Sequence, residues 1–266
     1  VNFQPAIDIA KKADVAIVVL GESNELVEEN RDVATLDLHG MQQELIEAIQ
    51  KTGTPVVCVL LNGRPLSVNW INENIPAVVE AWFPGEAGGK AVADVLFGDY
   101  NPGGKLPITF PKSVGQLPIY YNQKPSAIHR YVTESENPLY TFGYGLSYTT
   151  FEYSNLALST AAIKADGELN VSVDVKNTGN YDGDEVVQLY INDVYSSVTT
   201  PLKTLKGFKR VFIKKGETKN VTFTLTPEEL AIWNREMKKV VEPGDFEVMV
   251  GGNSVDLLKE NFKVLN

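Results

Sequence analysis

The spacing of apolar residues changes near residue 150, and this change constrains the fold more than any other feature. Before it, short apolar runs alternate with segments whose apolar residues recur every three or four positions. From Phe151 onward, apolar and polar residues alternate one by one, as in residues 169–175. Side chains return to the same face about every 3.6 residues in a helix and every two residues in a strand. The chain is therefore predicted to combine two different folds.

The first half predicts βαβ units. Residues 14–20, 55–61 and 77–82 read as strands, and residues 40–51 and 88–97 read as helices. Strands that alternate with helices indicate an α/β fold with a mostly parallel sheet. Residues 14–20 (DVAIVVL) are all apolar after the first position, which predicts a strand that is buried on both faces of the sheet.

The second half predicts an all-β fold. Turn signals rich in Gly, Asn and Pro separate the alternating segments, of which 246–250 is the last. About seven short strands over this length are typical of an immunoglobulin-like or fibronectin type III-like β-sandwich. Residues 100–148 are rich in Gly, Pro, Tyr and Asn and have little periodicity, which indicates an ordered connection. The chain is therefore predicted to consist of an α/β portion, a connecting segment and a sandwich: 1–115, 116–150 and 151–266.

Composition and charge exclude several classes of function. The net charge of −10 argues against binding to a nucleic-acid backbone, and no apolar stretch has the length needed to span a bilayer. The single cysteine, Cys58, lies in an apolar run and is interpreted as a small buried hydrophobe. With only two histidines, far apart in sequence, we expect neither a metal site nor a cofactor.

A polar loop rich in carboxylates follows the first predicted strand. Ligands of open α/β sheets bind beyond the carboxyl ends of the strands, so this loop is where a site is expected. Glycoside hydrolysis requires two carboxyl groups, and crowding of carboxylates raises the pKa of one of them. Composition by itself favours a solvated loop before a helix, and Glu22, next to the strand, is interpreted as structural. The acidic residues are Glu22, Glu25, Glu28, Glu29, Asp32 and Asp37.

Several motifs in order along the chain resemble glycoside hydrolase family 3. Residues 29–42 (ENRDVATLDLHGMQ) resemble the family stretch E-G-x-D-R-x-x-L-x-L-P-G-x-Q. Gly63, within the NGRPL motif, suits a turn that needs a positive φ. The resemblance is to the C-terminal part of bacterial three-domain β-glucosidases and implies part of a three-layer α/β sandwich and a fibronectin type III-like domain. The other similar segments are 62–66 (NGRPL), 82–89 (WFPGEAGG), 97–107 (FGDYNPGGKLP), 138–151 (PLYTFGYGLSYTTF), 177–179 (NTG) and 205–208 (LKGF).

The resemblance implies that Glu29 is the general acid/base, and a shift of one residue would make it Glu28. The chain departs from the family pattern around this glutamate, since Asn30 stands where Gly or Ala is usual and Val33 where a basic residue is usual. Arg31 is a candidate substitute for that missing base, and His39 replaces a usual Pro.

Candidate sugar-binding residues are Arg31 and a second group further along the chain, His129 and Arg130. The neighbouring tyrosines, Tyr120, Tyr121 and Tyr131, could stack on a sugar, although packing against protein is the favoured interpretation.

The resemblance further implies a retaining mechanism whose nucleophile is an aspartate on an N-terminal TIM barrel. The chain shows no eight-fold strand–helix repeat, so we expect the barrel to lie upstream of Val1 and the chain alone to be inactive. The expected substrate is a β-glucoside or an oligosaccharide. A β-xyloside substrate, a non-catalytic sugar-binding or stabilising module, and a homo-oligomer formed through an exposed docking face remain open. So does the location, which could be periplasmic, secreted or cytoplasmic.

Overall fold

The computed structural model describes residues 1–126 and 130–266. These residues form two compact units whose segments alternate along the chain. The division expected from the sequence, at residues 115 and 150, stays a prediction. The first unit comprises Val1–Asp99, Phe110–Ile119 and Asn137–Tyr140, and the second comprises Tyr100–Thr109, Tyr120–Glu136 and Thr141–Asn266.

The first unit is built on a parallel sheet with the order β1-β2-β3. Ala16 pairs with Val56, and Val57 pairs with Ala77, so all three strands run in the same direction. The predicted α/β fold is confirmed, while α1 and α3 were not predicted because each is too short to present a full apolar face. The elements are α1 (Gln4–Ala10), β1 (Ala16–Gly21), α2 (Gln42–Gln50), β2 (Val56–Leu61), α3 (Asn69–Asn74), β3 (Ala77–Glu80) and α4 (Gly88–Phe97).

The core of the first unit lies between the sheet and its helices. Val18 and Leu20 of β1 pack with Ile46 and Ile49 of α2, and all four side chains are buried. Cys58, in the central strand, is completely inaccessible to solvent, as the sequence indicated. Burial raises the pKa of its thiol to about 12, so Cys58 remains protonated and is part of the core.

The other face of β1 is exposed. Val15, Ile17 and Val19 retain 48%, 47% and 56% of their accessible surface. The prediction that residues 14–20 are buried on both faces is therefore wrong. β1 is an edge strand that pairs with β2 alone, and within residues 1–126 and 130–266 only one of its faces is covered. Self-association through such a face stays a prediction.

The second unit contains two sheets, with the orders β5-β13-β12-β7-β8 and β4-β6-β9, and a short hairpin of β10 and β11. All strand pairs are antiparallel except β5 with β13. The predicted sandwich is confirmed, but residues 246–250 do not form its last strand. β13 was not predicted, because the polar run of Lys259, Glu260 and Asn261 interrupts the alternation of apolar and polar residues. The elements are β4 (Phe151–Leu158), β5 (Ala162–Lys164), β6 (Leu169–Asn177), β7 (Gly183–Asp193), β8 (Thr204–Ile213), β9 (Thr218–Leu225), α5 (Pro227–Leu230), β10 (Ile232–Trp233), β11 (Lys239–Val240), β12 (Gly244–Gly251) and β13 (Leu257–Leu265).

The connecting segment contributes aromatic and charged contacts to the second unit. Tyr121 stacks on Phe142 with ring centroids 4.1 Å apart, and its edge meets Tyr190 at 5.8 Å. Tyr121 therefore packs against protein, which is the interpretation favoured from the sequence. Lys105 Nζ lies 3.1 Å from Glu185 Oε2 in a largely buried ion pair. No helix within the described ranges has the length and apolarity required to cross a membrane.

The alternation in β6 accounts for the core of the sandwich. Leu169, Val171, Val173 and Val175 are fully buried, and the residues between them face outward or are half-buried. Full burial of an aliphatic side chain contributes about 1.5–3 kcal/mol, so this one strand face is a principal source of stability.

We expect Leu169→Ala to lower the free energy of unfolding of the second unit by about 2–5 kcal/mol, because the truncation leaves a cavity in a closed core. Chemical denaturation monitored at the sandwich provides the measurement. Lys176→Ala, on the exposed face of the same strand, is the matched control and should change stability by less than about 0.5 kcal/mol. Equal effects of the two substitutions would contradict this account of the core.

Candidate active-site loop

The carboxylate-rich loop begins where β1 ends, at a position that requires glycine. Gly21 has a φ of +137°, and a Cβ on it would lie 1.9 Å from the carbonyl oxygen of Leu61. The next residue, Glu22, donates its backbone N–H to that same oxygen at 2.8 Å. The start of the loop is therefore held directly against the end of β2.

Gln42 joins the two ends of the loop. Its Oε1 accepts a hydrogen bond from the backbone N–H of Gly21 at 2.7 Å. Its Nε2 donates to the carbonyl oxygens of Gly21, at 2.8 Å, and of His39, at 3.0 Å. The residues between 21 and 39 thus form a closed loop whose base is fixed by one amide side chain on α2.

The two candidate acid/base residues lie on a tight turn in the middle of this loop. Glu28 and Glu29 are both exposed, and the backbone N–H of Arg31 donates to the carbonyl oxygen of Glu28 at 3.1 Å. Asn30 has a φ of +63°, a conformation that Gly and Asn adopt more readily than other residues. The turn presents both carboxylates to solvent, where a substrate could reach them.

Beneath the turn, Glu22 is buried and paired. Its side chain is completely inaccessible, and its Oε1 lies 3.2 Å from Nε of Arg64 and 3.7 Å from Nε2 of His39. Its Oε2 accepts a hydrogen bond from the backbone N–H of Gly63 at 3.2 Å. A buried carboxylate is tolerated when it is paired with a cation and accepts hydrogen bonds, and the Arg64 guanidinium and the Gly63 N–H meet both conditions.

Gly63 has a different function from the one predicted, because its φ is not positive. A Cβ on Gly63 would instead lie 2.8 Å from the ring of Phe83 and 3.2 Å from Cγ1 of Val27. Glycine suits this position because the Phe83 ring and the side chain of Val27, from the carboxylate loop, both pack directly against the backbone.

A second carboxylate, the half-buried Glu80, lies at the end of β3, and it was not among the residues predicted from the sequence. Its Oε2 accepts from Nδ2 of Asn62 at 3.2 Å, and its Oε1 accepts from the backbone N–H of Trp82 at 3.0 Å. Burial raises the pKa of Glu80 to about 7, although the two hydrogen bonds act in the opposite direction. A charged residue at the end of an otherwise apolar strand was the signal in the sequence.

The remaining candidates are dispersed. Arg31 is exposed, and its carbonyl oxygen accepts from Nη2 of Arg64 at 3.4 Å. Arg130 is exposed and belongs to the second unit, and His129 lies outside the described residues. Over the part of the chain that the structure covers, no group of three or more His, Cys, Asp or Glu side chains could hold a metal ion.

Comparison with known proteins identifies both units. Residues 1–148 match the profile described as Glycosyl hydrolase family 3 C-terminal domain, and residues 185–254 match the Fibronectin type III-like domain. The α/β unit thus matches the C-terminal domain of this family, and the sandwich matches a fibronectin type III-like domain. The chain belongs to glycosyl hydrolase family 3, as its motifs indicated.

The similar proteins carry names of two activities. The chain is 52% identical over 95% of its length to a β-xylosidase of Formosa agariphila, and 45% identical over 98% to a periplasmic β-glucosidase of Salmonella typhimurium. A crystal structure of a β-glucosidase from Listeria innocua in complex with glucose covers 99% of the chain with a TM-score of 0.94 at 37% identity. The chain spans 36%, 35% and 38% of these three proteins, about a third of each.

The raised pKa of Glu80 predicts a pH dependence of stability. Between about pH 5 and pH 7 the folded state retains a proton that the unfolded chain has already released, so stability falls as the pH rises through this interval. We expect wild type to lose about 2–3 kcal/mol relative to Glu80→Gln between pH 5 and pH 8. Denaturation of both proteins at the two pH values measures this difference, and a constant difference would contradict the prediction.

The positive φ of Asn30 predicts a local cost for other side chains. Asn30→Ala should lower stability by about 1 kcal/mol, because a Cβ that lacks the Asn amide is disfavoured in this conformation, whereas Asn30→Gly should be nearly neutral. Thermal unfolding compares them, with Asp32→Ala as the control at an exposed loop position whose φ is not positive. Equal behaviour of Asn30→Ala and Asn30→Gly would rule out the strain.

Proposed function

We propose that this chain is the acid/base-carrying portion of a retaining β-glucosidase and that Glu29 is its general acid/base. The observation that carries the proposal is the exposed glutamate turn beyond β1 in a chain that belongs to glycosyl hydrolase family 3. An exposed carboxyl group suits a residue that must reach a sugar bound against another domain.

The chemistry proceeds in two steps. The Glu29 carboxylic acid donates its proton to the glycosidic oxygen as the bond from that oxygen to the anomeric carbon breaks, and an aspartate of a barrel outside these residues forms a bond to that carbon. The Glu29 carboxylate then takes a proton from water. The hydroxyl of that water replaces the aspartate on the sugar, which restores both carboxyl groups to their starting states.

The backbone supports Glu29 over Glu28. The family pattern that residues 29–42 resemble places Gly or Ala after the acid/base glutamate. Asn30, directly after Glu29, adopts a left-handed conformation that suits Gly, whereas Glu29, directly after Glu28, does not. The register with Glu29 therefore matches both the sequence pattern and the local geometry of the turn.

A β-glucoside is the proposed substrate, and a β-xyloside is the second candidate, because the Formosa agariphila relative at 52% identity is named a β-xylosidase. The two sugars differ by one hydroxymethyl group, so the same acid/base chemistry serves either. Arg31, His129 and Arg130 are proposed to contact the sugar.

The test uses the full-length protein and the matched pair Glu29→Gln and Glu28→Gln. We expect wild type to hydrolyse p-nitrophenyl β-glucoside or β-xyloside with retention at the anomeric carbon. Glu29→Gln should lose about 10²–10⁴-fold in activity on substrates with poor leaving groups, whereas Glu28→Gln should stay within a few-fold of wild type. Azide should partly restore turnover in the first variant by replacing base-activated water.

Each alternative has its own result. A large loss in Glu28→Gln alone would transfer the assignment to Glu28. Activity of residues 1–266 in isolation would place a nucleophile within this chain and refute the proposed division of roles. Binding of the sugar without hydrolysis by the full-length protein would favour a sugar-binding or stabilising module.

A further inference from the structure

We infer that Arg64 and Glu22 are positioning residues, which hold the turn that carries Glu29 in a fixed position relative to the sheet. The inference rests on the proposed function of Glu29 and extends it to two side chains that do not touch the sugar. It follows from the contacts of a single guanidinium group and from the scarcity of other contacts to the loop.

Arg64 bonds the backbone on both sides of the turn that carries Glu28 and Glu29. Its Nη2 donates to the carbonyl oxygen of Leu26 at 2.5 Å and to that of Arg31 at 3.4 Å. These carbonyls lie on either side of Glu28 and Glu29, so one side chain is bonded to the backbone where it enters the turn and where it leaves. Both acceptors are main-chain atoms, and the contact constrains the backbone whatever the side chains at those positions.

Glu22 fixes the orientation of Arg64. The Arg64 Nε lies 3.2 Å from Glu22 Oε1, whereas a different nitrogen of the same guanidinium, Nη2, reaches the loop. Glu22 is itself immobilised by the Gly63 N–H and by its own N–H bond to Leu61. The chain of contacts therefore runs from the end of β2, through Glu22 and Arg64, to the turn.

Few other interactions define the position of the turn. Between residues 23 and 38, Leu36 is the only buried residue, and the one piece of regular structure is the 3₁₀ turn Asn24–Leu26. Val27 packs against Gly63 before the turn, and the Leu36 carbonyl accepts from the Ser67 N–H at 2.8 Å after it. A segment with so little buried apolar surface moves readily unless polar contacts hold it.

Arginine is required because of its geometry. A planar guanidinium can pair with a carboxylate through one nitrogen and donate to two carbonyls through another, whereas a lysine ammonium is a point charge that cannot span them. A general acid must lie within about 2.6–3.2 Å of the oxygen that it protonates, and a displacement of about 1 Å costs about 10²-fold in rate. Arg64→Lys therefore keeps the charge beside Glu22 and releases the turn.

The test compares two substrates in the full-length protein. The leaving group of a 2,4-dinitrophenyl β-glycoside departs as a phenolate without protonation. The leaving group of an alkyl β-glycoside must receive a proton from the general acid. For Arg64→Lys we expect kcat/KM to fall at least 10-fold on the alkyl glycoside and less than 3-fold on the dinitrophenyl glycoside. Arg235→Lys is the matched control, because Arg235 also donates to a carbonyl, that of Ser197 at 3.1 Å, but in the second unit.

The positioning role of Glu22 is tested by substituting it alone and together with Arg64. Glu22→Gln should shift the two-substrate ratio in the same direction, and the effect of combining it with Arg64→Lys should be smaller than the product of the separate effects, because both act on one contact. The ratio is measured within one sample, so it does not depend on the fraction of a variant that folds. Equal losses on both substrates, or no loss on either, would overturn the inference.

Amide hydrogen exchange separates this inference from the proposed function. Arg64→Lys should accelerate exchange in peptides that cover residues 23–34 and leave those of α2 and β2 unchanged, whether or not the protein hydrolyses either sugar. Unchanged exchange in the loop would refute the positioning role of Arg64 even in an active enzyme. Faster exchange in a protein that hydrolyses no glycoside would retain that role and reject the proposed reaction.

Discussion

The burial of polar side chains at the carboxyl edge of a three-stranded parallel sheet is the constraint on which the rest of the first unit depends. Glu22 follows β1, Asn62 follows β2 and Glu80 ends β3. The first two are buried, and Glu80 is half-buried. A buried charge without a partner costs several kcal/mol. The strand ends must therefore recruit cations, amides and backbone N–H groups, and these groups come from the loops around them.

The groups that pair with these side chains also determine where the loops lie. Arg64 compensates the charge of Glu22 and at the same time bonds the backbone of the carboxylate loop. Asn62 compensates Glu80 and bonds the carbonyl oxygen of Arg64 at 2.9 Å. The same interactions that stabilise Glu22 and Glu80 thus tie the exposed glutamates to the sheet, which is the arrangement that the proposed proton donor requires.

The second unit is stabilised in a different way. Its stability comes from two apolar sheet faces that pack on each other, and its buried charges are few and paired, as in Lys105 with Glu185. The Tyr153 hydroxyl donates to the remaining Glu185 oxygen at 2.8 Å, which completes the hydrogen bonding of that carboxylate.

The sequence by itself determined the features that depend on local pattern. Apolar spacing distinguished the parallel sheet from the sandwich, because the period of a side-chain pattern is a property of the chain alone. The motif order around Glu29 and the NGRPL segment indicated the family. Tertiary structure decided the rest: which face of β1 is buried, that β13 exists despite its polar centre, why Gly63 must be glycine, and that Glu80 holds a raised pKa. Several of these depend on residues that are distant in the sequence, as Glu22 meets Arg64 and Asn62 meets Glu80, and no local pattern encodes such contacts.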